Sequence, residues 1–167
     1  MQLKTEIRPL TTEEKQKLKS VFKARIIIGL FFSPFILFGT SFLLIGSIND
    51  IRDGTGDSGS YFGLALVSII VFLIVRYVIP FYKRSFENTR RQNKLVIKTV
   101  VLAITQRSLS NYIIDTGFRK IDNFSISIIM QTSSLYLNQL YVNMPVTIHC
   151  FEDNKTDILY IEKTAEF

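Results

Sequence analysis

His149 and Cys150 are the residue types best suited to nucleophilic or metal chemistry, and the chain has one of each, side by side. In a strand, neighbouring side chains point to opposite faces, so the pair cannot form a Cys–His dyad. One imidazole and one thiolate are also too few for an ordinary zinc site. The expectation is a small core cysteine beside a surface or edge histidine. Gly54-Thr55-Gly56-Asp57-Ser58-Gly59 spells GxGxxG. That fingerprint works only between a strand and a helix that receives phosphate. Here it joins two apolar runs, and Asp53 and Asp57 would repel phosphate. As a calcium loop it has Ser58 where glycine is required and no closing glutamate. Glu152, Asp153 and Asp157 flank a single turn and read as solvated loop charges. No catalytic, cofactor or metal constellation emerges, and the chain is expected not to be an enzyme.

The elements that would position such residues are unevenly distributed over the 167 residues, 47% of which are apolar. Ile26 to Ile48 carries no charge, and its 23 residues span about 34 Å as a helix. A hydrocarbon core of about 30 Å needs no more. Tyr61 to Tyr82 is a second run, uncharged to Val75, interrupted by Arg76, with Tyr61, Tyr77 and Tyr82 where interfacial aromatics lie. Both runs read as membrane spans (26–48 and 61–82) joined by an acidic loop, 49–60, within a hairpin of residues 25–82. The first run is too long for a cleavable signal peptide and lacks its cleavage site.

Charge gives the orientation. Residues 1–25 are net +4, the loop is net −2, residues 83–98 are net +5, and residues 99–167 are net −2. Lysine and arginine gather on the cytoplasmic side of inserted helices, which places both termini there and predicts a bacterial inner-membrane protein. The basic excess is thus a topology signal, and no nucleic-acid partner is expected. Arg76, Lys83, Arg84, Arg90 and Arg91 are candidates to meet lipid headgroups or a partner. Snorkelling of Arg76 to the interface is the simpler reading for that residue.

Gly29, Ser33, Thr40 and Ser47 fall on a seam of small residues in the first span, suited to close helix packing. The seam serves either the hairpin itself or another membrane protein or second copy. Pro34 predicts a local kink. Residues 1–24 form a cytoplasmic helical segment. Thr11 and Glu14 have the spacing of a capping box, so a helix starts at Thr12 and runs into the first span. Residues 83–93 form a basic juxtamembrane linker.

From residue 94 the period becomes two. Strands are expected at Lys94–Gln106, Ser110–Thr116, Asn123–Gln131, Val146–Glu152 and Asp157–Glu162, with a short helix or irregular crossover over Ser133–Val142. Five strands in residues 94–167 predict a small OB or SH3-like barrel behind a two-helix transmembrane hairpin, a membrane α+β fold. Tyr112, Phe124, Tyr136 and Tyr141 are the candidate contact residues of the barrel face.

Lys98-Thr99-Val100, Asn111-Tyr112-Ile113-Ile114 and Met144-Pro145-Val146-Thr147-Ile148 resemble elements of a loose group of uncharacterised small bacterial inner-membrane proteins. These carry two N-terminal transmembrane helices and a cytoplasmic small β-barrel. Asn143-Met144-Pro145 departs from the glycine that many of those domains have before the fourth strand. The resemblance implies topology and no reaction. Together these readings predict a membrane-anchored accessory or scaffold protein, part of a larger membrane complex. The alternative is an immunity-type protein protecting against a membrane-acting toxin.

Overall fold

The computed structural model describes residues 4–108, 111–122, 128–131, 134–153, 155 and 157–164. The chain divides into a sheet unit, built from residues 1–18 and 91–167, and a helical unit of residues 19–90.

The helical unit follows from two apolar stretches with caps between them. Helix α1 (Thr12–Arg52) begins in the sheet unit and continues without a break across Pro34, so no interruption marks the expected kink. Gly54, at φ 74°, takes the left-handed conformation that reverses the chain. Asp57 caps α2 (Ser58–Leu73) by accepting from the Gly59 and Ser60 amides at 2.9 and 3.1 Å. The glycine-rich loop is therefore a turn and a helix cap. A π turn (Ile74–Val78) follows, and then α3 (Ile79–Arg90). Pro80 has no amide to give the preceding turn, and the wide turn before it accommodates the ring. Both helical stretches are long and apolar enough to cross a membrane. Their large side chains are exposed along the length, including Phe31, Phe35, Phe38, Phe42, Phe62 and Phe72. Water would not tolerate so large an apolar surface.

The sheet unit departs from the expected barrel. The strands are β1 (Lys4–Pro9), β2 (Asn93–Ser108), β3 (Asn111–Thr116), β4 (Lys120–Ile121), β5 (Pro145–Cys150) and β6 (Ile158–Lys163). These strands pair antiparallel, in the order β4-β3-β2-β5-β6, with β1 added to β2. Among the described residues the end strands β4 and β6 do not pair, so the sheet is open. Two physical reasons stand out. The N-terminal segment, expected to be helical from Thr12, supplies before that point a strand that occupies β2 from Asn93 to Lys98. The expected strand Asn123–Gln131 is described only from Ile128. Residues 123–127 lie outside the described residues, and Ile128–Met130 runs beside β6 through a bridge to Ile158 and the bonds Ile129 N to Ile158 O and Met130 N to Leu159 O.

The core forms on the apolar face. Val101, Ile114, Ile121, Val146, Ile148, Ile158 and Ile161 pack together at 2% exposure or less. A second cluster joins Leu10 and Leu18 to Met130, Phe151 and Leu159. The crossover region includes a 3-10 turn, Leu137–Gln139. Asn143 stands at φ 67° before β5, a left-handed position that asparagine tolerates better than most residues, in place of the glycine.

Candidate functional site

Register brings together a polar cluster within the sheet unit. In β2, Lys94, Val96 and Lys98 share one face. Val96 lies opposite His149 of β5, and His149 lies opposite Tyr160 of β6. Lys98 lies opposite Thr147, and Thr147 opposite Glu162. The first turn of α1 adds Glu14, which the capping box holds in place. The Thr11 amide donates to Glu14 Oε2 at 2.7 Å, and the Glu14 amide donates to Thr11 Oγ1 at 3.2 Å.

Glu14 Oε1 then accepts from Lys94 Nζ at 2.5 Å and from the Tyr160 hydroxyl at 2.7 Å, while Lys94 also donates to Tyr160 at 2.8 Å. Glu14 is 7% exposed and Lys94 6%. Burial alone would raise the Glu14 pKa, but the bonds from Lys94, Thr11 and Tyr160 outweigh it and hold the carboxyl below its ordinary value. Burial, reinforced by the Glu14 carboxylate, pushes the Tyr160 phenol well up, so it stays a donor.

His149 is 3% exposed, against the expectation of a surface or edge residue. Its ring stacks on Tyr160 at 4.1 Å, and Nε2 lies 2.9 Å from Glu162 Oε1. Burial lowers its pKa, the Glu162 bond opposes this, and the Lys94 cation lowers it further. Cys150 points to the other face and is fully buried, its thiol pushed up by burial to about 11. A thiol so protonated is a poor nucleophile. The Glu14–Lys94 pair, with the Tyr160 hydroxyl bonded to both, ties the start of α1 to the sheet.

The residues singled out in the sequence scatter. In the helical unit, Gly29 lies against Tyr82, whose hydroxyl donates to the Arg25 carbonyl at 2.9 Å. Ser47 is buried against Gly63. Ser33 and Thr40 turn their hydroxyls onto the backbone carbonyls of Leu30 and Ile36 of the same helix. Arg76, Lys83, Arg84 and Arg90 are exposed, with the Arg90 guanidinium over the Phe86 ring. Arg91 belongs to the sheet unit, where it pairs with Asp153 and covers the Phe151 ring. Of the contact residues, Tyr136 and Tyr141 are exposed, and Tyr112 is half-buried against the core. With no barrel they share no barrel face, and Phe124 lies outside the described residues.

Glu14, Lys94 and Tyr160 were not singled out as site residues. The one local signal was the capping box, which fixes where Glu14 sits but not what it meets. Comparison with protein-family models, with curated proteins and with solved structures finds no match.

Proposed function

We propose that this chain is a membrane-anchored accessory protein whose sheet unit receives a partner along the free edge of β1. The observation that carries the reading is β1 itself. All six of its residues are exposed, and among the described residues it pairs only with β2.

The geometry of that edge is specific. Leu10 N donates to Gln92 O at 2.7 Å, so the alternation of an antiparallel ladder turns the amides of Arg8, Glu6 and Lys4 toward β2. The amides of Thr5 and Ile7 therefore face outward. Pro9 sits at an outward position, where its missing N–H costs the ladder nothing. Charged Lys4, Glu6 and Arg8 discourage indiscriminate pairing without removing the two outward donors. An extended segment of another membrane protein could add there as a further strand.

Mild-detergent extraction at native expression, followed by mass spectrometry, tests this. The wild type should recover a partner at constant ratio. Ile7→Pro removes only an outward donor and leaves the β2 ladder intact, so it should lose that partner while extracting equally well. Recovery of the same partner by Ile7→Pro, or of none by the wild type, defeats the proposal.

A further inference from the structure

Within the helical unit, the π turn and the start of α3 carry a groove of about 720 Å³. Arg76 and Arg84 line it together with Tyr77, Pro80, Phe81 and Tyr82. We propose that this groove takes the phosphate of an anionic phospholipid headgroup.

Four observations converge on that chemistry. Arg76 is the one charge inside the apolar run Tyr61 to Tyr82, six residues before its end, so a cation is set among apolar and aromatic side chains. Arg84 lies eight residues on, roughly 12 Å along the helix axis, a separation that two long guanidinium side chains can close around one headgroup. Among the described residues Arg76 has no ion-pair partner, so its charge is not already answered by protein. Arg25 adds a third cation at the same end: its guanidinium lies 4.8 Å from the centre of the Phe81 ring and donates to Ser85 Oγ at 2.9 Å.

Tyr77, exposed beside Arg76, offers an apolar ring to acyl chains and a hydroxyl to the headgroup level. Guanidinium binds phosphate oxygens by two parallel N–H bonds, which favours arginine over a plain point charge. A neutral zwitterionic headgroup carries its own cation and answers this array less well.

The inference rests on Tyr61–Tyr82 being a membrane span and is independent of the strand-edge proposal. Full-length protein in a neutral mild detergent, mixed with phosphatidylglycerol, phosphatidylcholine or inorganic phosphate and examined by native mass spectrometry, tests it. The wild type should retain phosphatidylglycerol over phosphatidylcholine by about tenfold, the discrimination expected of one or two charge-assisted contacts. Arg76→Gln and Arg84→Gln should each reduce that preference at least several-fold. Arg90→Gln, outside the groove, should not.

Equal retention of the two lipids overturns the proposal, as does a preference that survives in the Arg76→Gln/Arg84→Gln double variant. Binding of inorganic phosphate alone at equal concentration would make this a soluble-anion site and overturn the lipid assignment. Should Arg76→Gln fail to fold, Arg84→Gln alone decides. Release of the chain from membranes by alkali without detergent would instead defeat the span itself, an outcome distinct from equal lipid retention in a chain that needs detergent.

Discussion

Replacing Glu14 by glutamine keeps the shape and removes the charge, leaving the Lys94 ammonium 6% exposed against a neutral amide. Three donors converge on the native carboxylate: Lys94, the Tyr160 hydroxyl and the Thr11 amide. The amide offers one oxygen to all three and turns its own N–H groups toward a donor. Breaking a buried pair by removing one member costs about 3–5 kcal/mol. The lower end applies here, since the remaining oxygen still satisfies one or two donors. About 3 kcal/mol is roughly a 150-fold rise in the population of the opened sheet unit. The chain carries its own reporter: Cys150 is its only cysteine, fully buried in β5 of the same unit. Its labelling by a maleimide must wait for opening. Labelling in Glu14→Gln should therefore run about 100-fold faster than in the wild type. Glu14→Gln/Lys94→Met, which removes both charges, should recover most of the protection and stay within about tenfold of the wild type. A single variant within about threefold of wild type would refute the reasoning, as would a double variant labelled as fast as the single one.

Acid should destabilise the sheet unit in two steps of the same sign. The folded His149 pKa lies below its ordinary 6.5, so this contribution is complete above that pH and is lost as pH falls toward the folded value. Glu14, also depressed, adds a further loss below its ordinary 4.5. Thermal melting of the full chain in detergent should therefore drop between pH 7.5 and 5.5, and His149→Gln should flatten that interval; an unchanged slope in the variant speaks against it. In the helical unit, a Cβ on Gly63 would come within 2.3 Å of Ser47 Oγ. Gly63→Leu should destabilise the hairpin by about 1–3 kcal/mol through overpacking, with partial rescue by Ser47→Gly, read as detergent-resistant helicity on heating. Full retention of helicity in Gly63→Leu would show that the two helices do not approach there.

The two long apolar helices were legible because their signal is local: an uncharged apolar run with basic flanks shows in the residues themselves, wherever the rest of the chain goes. The same holds for the Thr11–Glu14 box and for β2, whose valines, isoleucines and threonines alternate over many residues. β1 was not legible. Lys4–Pro9 is six exposed residues, half of them charged and one proline, with no apolar alternation, and it is a strand only because β2 pairs with it some ninety residues later. The polar cluster was hidden for the same reason. Lys94, His149 and Tyr160 come from three strands that the registers of β2 with β5 and of β5 with β6 set side by side, and Glu14 reaches them from the first turn of α1. The π turn before Pro80 had a visible cause in the proline, but its width and the groove beside it follow from backbone adjustments that residue types do not encode.

The free edge of β1 is the feature on which the functional account turns, and a photo-reactive residue placed there in living cells tests it most directly. The account predicts that a crosslinker at Thr5, whose backbone amide faces outward, captures one protein of defined mass in the membrane fraction. It predicts that the capture is lost when Ile7→Pro is added, and that the same crosslinker at Thr55, in the loop between the spans, does not capture it. An identical pattern at both positions, or no product at Thr5, would contradict the account.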